Sequence, residues 1–451
     1  MKSRGATKVE SMDIRLAIFD LDGTLIGAPK DFHQIKEELR KRLLDMGIPK
    51  ETIGDLTPMY ENLFRIAEET NRKPEELQKI LEDLEEERVD ESFLFDGSRE
   101  FLEFLKEEGI KIALMTRSCR RAATKALNMH GIKKYFDFIL TRSDVAKDEV
   151  KPNEMHVKRV LEHFKIPPTK AIVIGDHGYD IVPAKRAGTL SLLITSHESG
   201  RMSFKIEEKP TFEVPTMKEA LSLFRRLLKT YVVVPAYNEE RTLGEVLSSL
   251  KLYFKPEHIV VVNDGSVDRT REIARKSGVH VLTHIVNRGL GGALGTGIIY
   301  ALKKGAEIII TFDADGQHLV GDALRVMKPV AEGKADFAVG SRLKGDIKEM
   351  PFIKRFGNLV LDGITAFFAR MYVSDSQSGL RCFNRECASK IRITCDRYAV
   401  SSEIIIEVAS RGCRIEEVPI KAVYTDYAAK KGTNVLEGVK IALNLLFDKM
   451  R

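Results

Sequence analysis

Six short apolar runs constrain this chain more than any other feature. They are "RLAIFD", "KIALMT" and "AIVIGD", then "YVVVPAY", "HIVVVND" and "EIIITFD". Each is rich in β-branched residues and closes in a polar cluster. Such runs are strands buried on both faces of a parallel sheet, with helices covering those faces. Helical patterns do alternate with them. In a sheet of this kind, reactive groups collect at the carboxyl ends of the strands. The runs fall into two groups of three, so two sheets are expected. A length of 451 residues agrees, since domains hold roughly 100–200 residues each.

Between the first two runs, residues 28–92 carry only helical patterns. "PEELQKILEDLEEERVDE" places apolar residues at helical spacing, and its charge run reads as a solvated face. This segment is expected to be a helical insertion lying over the first sheet. "TMKEALSLFRRLLK" then closes the first domain, and the fresh strand at "YVVVPAY" puts the boundary near Lys229. The expected domains are 12–228 and 229–451, each an α/β unit of the doubly wound kind.

Composition narrows the class of function. Hydrophobic residues make up 43% and charged residues 31%, the balance of a globular chain. A net charge of +6 over this length, with no basic cluster interleaved with aromatics, argues against nucleic acid. The five cysteines, at 119, 382, 387, 395 and 413, form no CxxC, which favours a reducing cytoplasm. The start, "MKSRGATKVESMDIR", has no apolar core of a signal peptide, and "GLGGALGTGIIYAL" is too short to span a bilayer.

Chemistry-bearing residues gather at the strand ends of the first group. Asp20 and Asp22 follow the first run, and Gly23 permits a curl that turns both to one side. Thr116 closes the second run. Lys151 precedes a proline in "VKPNE", and Asp176 and Asp180 follow the third run in "VIGDHGYD". Four carboxylates, a hydroxyl and an amine suit phosphoryl transfer. Hard oxygens hold Mg²⁺, a carboxylate attacks phosphorus, and a cation balances charge. With these motifs in this order, residues 12–228 resemble the haloacid dehalogenase-like phosphatases of the phosphoglycolate-phosphatase type with a helical cap. The resemblance implies a Rossmann-like fold, with Asp20 as the nucleophile that forms an aspartyl-phosphate and Asp22 as general acid and base. It implies that Thr116 and Lys151 hold the phosphoryl oxygens, that Asp20, Asp22 and Asp176 bind Mg²⁺, and that Asp180 supports the site. The substrate would be a phosphorylated small molecule. A phosphomutase and a non-catalytic docking module are the alternatives.

The second group has different neighbours. Pro235, Tyr237, Asn238 and Glu239 make a polar bend in "VVVPAYNEE", and Asp264 follows the next strand in "VVNDGSVDRT". The glycine-rich "HIVNRGLGGALGTG" matches neither a dinucleotide fingerprint nor a P-loop, and its glycines suit a helix packed close beside a nucleotide. Asp313 and Asp315, in "FDADGQH", suit a divalent ion that neutralises a diphosphate leaving group. Later pieces are "VGSR", "PFIKRFGN", "DSQSGLRCF", "SEI" and "EVPI". On these motifs, residues 229–451 resemble the family 2 glycosyltransferases, in particular the dolichyl-phosphate mannose synthases and related polyprenyl-phosphate sugar transferases.

That resemblance implies a nucleotide-diphospho-sugar transferase fold and an inverting transfer from a nucleotide-diphosphate sugar. Pro235, Tyr237, Asn238, Glu239 and Asp264 would contact the nucleotide sugar. Asp313 and Asp315 would hold Mg²⁺ or Mn²⁺ and the diphosphate, beside Gln317. Arg342, Arg355, Ser378 and Lys431 would face the donor or acceptor phosphates. The family often ends in an Arg followed by Gly-x-Ser-Lys, where this chain has "YAAKKGTNV"; Lys430 and Lys431 supply charge there but not the bidentate clamp of an Arg. The implied acceptor is a lipid phosphate at a membrane surface, met by a cytoplasmic enzyme that is peripheral at the membrane. A soluble phosphorylated acceptor, later dephosphorylated, is the alternative. A hydroxyl acceptor would need a base, for which Asp375 and Glu403 are candidates; a phosphate acceptor arrives ionised. Two amphipathic stretches, 359–373 and 435–450, suit either a membrane interface or packing on the sheet.

Overall fold

The structure, a computed structural model, describes residues 12–28, 32–195, 208–345, 352–395 and 400–421, without the side chains of Phe32 and residues 352–360. Two compact units emerge. One is Ile14–Ser222, and the other runs from Leu223 onward and includes Met12 and Asp13. The division falls before Lys229 because the end of the helix Met217–Leu227 is already tied to the second unit. There Arg226 Nε donates to the Ala331 carbonyl at 2.8 Å, and Met12 N to the Leu227 carbonyl at 3.2 Å.

In the first unit, β1 (Leu16–Phe19) leads to a hairpin of β2 (Ile26–Gly27) and β3 (Phe93–Leu94). Then follow β4 (Lys111–Thr116), β5 (Phe138–Thr141), β6 (Ala171–Gly175), β7 (Leu190–Ile194) and β8 (Phe212–Val214). The large sheet has the order β5-β4-β1-β6-β7-β8, and every pairing in it is parallel. Strand order reverses at β1, which opens a crevice at the carboxyl ends of β1, β4 and β6. Leu16, Ile18, Met115 and Val173 bury one sheet face against Val157 and Val160 of the helix Glu154–Phe164.

The insertion comprises the helices Phe32–Asp45, Lys50–Ile53, Met59–Glu69 and Pro74–Val89. Leu39, Leu63, Ile66, Leu77 and Leu81 give it a core of its own. The charge run on Pro74–Val89 is not simply a solvated face. Leu77, Leu81 and Leu84 point into the insertion's core, and Arg88, four residues after Leu84, continues that stripe toward the strand ends with Glu85 beside it. Glu85 Oε2 accepts from Cys119 N at 3.0 Å, and Arg88 donates to Asp22.

The second unit holds β9 (Thr230–Ala236), β10 (Ile259–Asn263), β11 (His280–Thr283), β12 (Ile308–Thr311), β13 (Phe337–Ser341), β14 (Arg381–Asn384) and β15 (Ile415–Pro419). Their order is β11-β10-β9-β12-β14-β13-β15. The expected parallel strands β9, β10 and β12 pair as expected, but β14 runs antiparallel to both β12 and β13. Its start therefore lies at the same edge as the end of β12, with Arg381 opposite Thr311. Glycine also earns its place in the helix Gly289–Lys303. A β-carbon on Gly297 would lie 2.3 Å from Val233 Cγ1, so the helix can sit this close to β9 only without one.

Of the two amphipathic stretches, 435–450 lies outside the described residues. In the helix Phe352–Ala369, Asp362 and Thr365 are buried, Ala369 and the following Met371 pack on the core, and Phe367 is 77% exposed. Its apolar residues thus do not share one buried face. Among the described residues, no helix is long and apolar enough to cross a membrane.

Two candidate active sites

The first site forms where β1, β4 and β6 end. Asp20, Thr116, Lys151 and Asp180 are all buried there. Lys151 Nζ donates to Asp180 Oδ1 at 2.6 Å and to Asp20 Oδ1. Burial raises the Asp20 carboxyl to about 7 against the pull of Lys151, and Asp180 adds to the rise. Burial likewise raises Asp180. Burial pulls the Lys151 ammonium down, but Asp180 and Asp20 outweigh it and hold its pKa above the usual value. One internal cation thus serves two carboxylates. Thr116 Oγ1 accepts from Ser118 N at 3.0 Å, which fixes the turn after β4.

Asp20, Asp176 and Asp180 bring carboxylate oxygens within 4.8 Å of one another. Gly23 makes room for this. Its φ is +84°, and a β-carbon there would lie 2.3 Å from Asp176 Oδ2. An all-oxygen donor set of this size fits Mg²⁺. Asp22, expected among the metal ligands, is not part of the cluster. Its Oδ1 accepts from Arg88 and its Oδ2 from the Ser118 hydroxyl at 2.5 Å. Arg88, Ser118 and Arg117 were not anticipated from the sequence. Arg88 was hidden in the charge run, and Arg117 and Ser118 stand unremarked in "TRS" beside Thr116.

The second site forms where β9, β10 and β12 end and β14 begins. Asn238 adopts φ +54°, a left-handed conformation that Asn tolerates, and its Oδ1 accepts from Val267 N at 3.0 Å. Glu239 N donates to Thr270 Oγ1 at 2.7 Å. Pro235 is buried within β9 and Tyr237 is 45% exposed. Asp264 reaches the same edge, but its carboxylate is spent within the chain. It accepts from Gly289 N at 2.7 Å, Arg288 N at 2.9 Å and His284 Nδ1 at 2.7 Å. It thereby anchors the start of the glycine-rich helix.

Asp313 accepts from His318 Nε2 at 3.1 Å. Burial alone would raise Asp313, yet His318, Arg381 and Arg342 together hold it below the usual carboxylate range. Asp315 differs. Burial and the neighbouring Asp313 raise it to about 6, although it accepts from Gln317 N at 3.0 Å and Gln317 Nε2 at 2.7 Å. Two close carboxylates, one of them reluctant to ionise, fit a divalent cation. Gly379 completes the floor, since a β-carbon there would lie 1.9 Å from Asp313 Oδ2. His318 and Arg381 stand within "FDADGQH" and "SGLR", where the sequence does not mark their closeness to Asp313.

Arg342 forms a bidentate pair with the fully buried Asp375, Nε and Nη2 each at 2.7 Å, and its backbone N–H adds a third bond at 2.9 Å. Glu403 is equally occupied, accepting from Thr394 N and Cys395 N at 3.0 Å each and from the Thr394 hydroxyl. Both oxygens of each candidate base, Asp375 and Glu403, thus accept hydrogen bonds from within the chain. The Ser378 hydroxyl is fully buried and makes no hydrogen bond among the described residues. The side chain of Arg355, and all of Lys430 and Lys431, lie outside the described residues.

Residues 17–194 match the profile of the haloacid dehalogenase-like hydrolases, and residues 231–390 that of glycosyl transferase family 2. The chain is 38% identical over 241 residues to a UDP-N-acetylglucosamine–dolichyl-phosphate N-acetylglucosaminyltransferase of Methanococcus voltae. That alignment covers 49% of this chain and 96% of the relative. This chain belongs to the family 2 glycosyltransferases, with a haloacid dehalogenase-like hydrolase domain ahead of the transferase. It is thus a transferase joined to a hydrolase. It is also 52% identical over 224 residues to the uncharacterized protein MJ1222 of Methanocaldococcus jannaschii, covering 49% of this chain and 92% of that one. Over 221 residues it is 29% identical to a protein of Caldanaerobacter subterraneus provisionally named pyrophosphatase PpaX, covering 48% of this chain and 96% of that one.

Proposed function

We propose that the hydrolase domain is a Mg²⁺-dependent phosphatase and that the transferase domain moves a sugar from a nucleotide diphosphate to a polyprenyl phosphate with inversion. In the phosphatase, Asp20 attacks phosphorus to form an aspartyl-phosphate, and Asp22 gives a proton to the leaving oxygen. Water, with its proton taken by Asp22, then attacks the aspartyl-phosphate, restoring Asp20 and releasing phosphate. Lys151 and Thr116 hold the phosphoryl oxygens. Asp20, Asp176 and Asp180 would hold Mg²⁺, which balances the charge of the phosphoryl group.

In the transferase, Asp313 and Asp315, with Gln317, would hold Mg²⁺ or Mn²⁺, which supports the departing diphosphate. Pro235, Tyr237, Asn238 and Glu239 line the nucleotide end, with Asp264 fixing the loop beside it. In this reading Arg342 and Ser378 would meet the phosphates, and the same role is proposed for Arg355 and Lys431. The observation that carries the acceptor class is the occupied state of Asp375 and Glu403. A hydroxyl acceptor needs a base, and these two candidates are both fully engaged, whereas a phosphate acceptor is ionised on arrival. The exposed Phe367 and the 60% exposed Tyr372 offer aromatic surface suited to a lipid interface. The relative named for dolichyl-phosphate transfer points the same way. We place the enzyme at the cytoplasmic face of the membrane, peripherally bound.

The test is transfer of radiolabel from UDP-N-acetylglucosamine, GDP-mannose or UDP-glucose to polyprenyl phosphate in detergent, with Mg²⁺ or Mn²⁺. An organic-extractable product formed by wild type and lost in Asp315→Ala supports the reading. Nucleotide-sugar binding with label moved only to a water-soluble phosphorylated acceptor would replace it.

A further inference from the structure

Asp20, Thr116 and Asp180 reach the first site from regular structure. Asp20 leaves β1 with its N–H bonded to the Ile174 carbonyl at 2.9 Å, Thr116 ends β4, and Asp180 lies in the helix Gly178–Arg186. Lys151 does not. It sits in the turn that leads into the helix Glu154–Phe164, where no strand ladder takes its peptide N–H. The residue is nonetheless 2% exposed, so that N–H needs a partner within the chain. The partner is a side chain, since Lys151 N donates to His156 Nδ1 at 3.2 Å. The Lys151 carbonyl in turn accepts from Arg117.

His156 is fully buried and stands in the first turn of its helix. Helical side chains lean toward the N-terminus, which carries the ring back over Lys151. An imidazole that accepts at Nδ1 holds its one proton at Nε2. That atom is buried, and it has no hydrogen-bond partner among the described residues. Burial, helped by the charges of Lys151 and Arg117, pulls the pKa of the ring down to about 3, so it stays neutral and Nδ1 stays an acceptor. A buried N–H without a partner is destabilising, and a leucine of similar bulk would carry none. Packing therefore does not account for this ring. What it supplies that leucine would not is the acceptor at Nδ1.

We infer that His156 is a positioning residue of the phosphatase site, whose Nδ1 fixes the Lys151 backbone so that the ammonium stands where the phosphoryl group arrives. This rests on the phosphatase reading above and adds to it a residue that acts only through Lys151. The Lys151 ammonium bonds both Asp20 and Asp180. It hangs on a flexible four-carbon stem, so its place depends on where the backbone is held. Arg117 holds the carbonyl end of the residue and His156 the amide end. Without the acceptor the amide end is loose, and the head group drifts from the phosphoryl oxygens it is to hold.

The experiment uses the full chain with MgCl₂. It measures phosphate release from p-nitrophenyl phosphate, and the urea midpoint, in wild type, His156→Leu and His156→Asn. Leucine fills the space and removes the acceptor. Asparagine sets its Oδ1 where Nδ1 stood but fills less of the space. His156→Leu exchanges one orphaned N–H, at Nε2, for another, at Lys151, so its midpoint is expected to stay close to that of wild type. Its kcat/KM should fall about tenfold to a hundredfold, the scale of an ångström misplacement. His156→Asn leaves a cavity and should have the lower midpoint of the two, yet recover most of the lost kcat/KM. Activity and stability then rank the two variants in opposite order, which a ring that serves packing alone cannot produce. A His156→Leu enzyme within about twofold of wild type overturns the inference, as does a His156→Asn enzyme as impaired as His156→Leu. If His156→Leu fails to fold, His156→Ala takes its place as the variant without an acceptor, and His156→Asn must exceed it by about tenfold or the inference falls. No phosphate released by wild type from p-nitrophenyl phosphate, 3-phosphoglycerate or glycerol 3-phosphate overturns the phosphatase reading, and the inference with it. Wild-type release that His156→Leu matches overturns only the role of His156.

Discussion

Residues 20–23 and 313–316 share one spelling, Asp-x-Asp-Gly, and one local shape. Asp20 follows β1, where its sheet reverses order, and Asp313 follows β12, the neighbour of β9, where the second sheet reverses; each turn uses a left-handed glycine, Gly23 at φ +84° and Gly316 at φ +79°. What surrounds them differs. In the first site, the first carboxylate, Asp20, meets Lys151, and that ammonium also serves Asp180. In the second, Asp313 is held ionised by His318, Arg381 and Arg342, while burial and Asp313 leave Asp315 raised to about 6. The spelling sets where two carboxylates point. The neighbouring strands decide whether one becomes a nucleophile beside a built-in cation or whether the pair awaits a cation from outside.

The sharpest way to break this comparison is to neutralise one carboxylate in each site. Asp20→Asn removes the proposed nucleophile and is expected to lower phosphate release by about 10³-fold or more while sugar transfer continues. Asp315→Ala should lower sugar transfer by about 10²–10³-fold and leave phosphate release intact. Residual phosphatase turnover of Asp20→Asn near the wild-type level would deny Asp20 its covalent role. A second comparison concerns the built-in cation. Lys151→Met leaves two buried carboxylates facing each other, so the first unit should lose about 3–5 kcal/mol, read as a lowered urea midpoint. An unchanged midpoint would mean that the pair is not held by Lys151.

Much of this was legible in the chain. The buried runs announced β1, β4, β6, β9, β10 and β12, because strands covered on both faces leave no polar alternation. The residues that cap them, Asp20, Thr116, Asp176, Asp264 and Asp313, followed from the rule that sites lie at strand ends. Three things were not legible. The strand β14 is four residues long and begins with Arg381, so no apolar run marks it, yet its antiparallel course brings Gly379 against Asp313. Arg88 sits in a run of charges, and although its spacing of four from Leu84 puts it on the apolar stripe, its partner Asp22 lies far off in the chain and no local pattern shows it. The fates of Asp264, Asp375 and Glu403 were hidden too, since a carboxylate spent on backbone amides or on an arginine is spelled like a free one.

Two glycines allow a finer comparison of how each site is shaped. A β-carbon on Gly23 would lie 2.3 Å from Asp176 Oδ2, and one on Gly379 would lie 1.9 Å from Asp313 Oδ2. Both Gly23→Ala and Gly379→Ala should displace a carboxylate and cost about 10²-fold in the activity of their own site, the scale of an ångström misplacement. Gly23 alone also needs a positive φ, so Gly23→Ala should carry a further strain of about 1–2 kcal/mol. Thermal melts of the two variants distinguish the causes. A Gly379→Ala melt as depressed as that of Gly23→Ala would show that crowding, and not backbone strain, dominates both.

The smallest effect concerns a third way of handling surplus negative charge, by keeping a proton. Asp362 is fully buried and accepts from Ser376 N at 2.8 Å and the Ser376 hydroxyl at 2.6 Å through Oδ1, while Oδ2 has no partner among the described residues. Burial raises it to about 7, Asp375 adds to the rise, and the Ser376 bonds and Arg342 oppose it. The folded state thus binds this proton more tightly than the unfolded chain, whose aspartates titrate near 3.9. Its contribution to stability is fully present below about pH 4, falls as pH rises toward 7, and is lost above that. The upper bound is about 4 kcal/mol, from roughly three pH units at 1.36 kcal/mol each. Asp362→Asn cannot titrate. The difference in urea midpoint between wild type and Asp362→Asn should therefore shift in favour of the variant between pH 5 and pH 8. A difference that stays constant across that window would mean that Asp362 is ionised in the fold, and that Arg342 shields both it and Asp375.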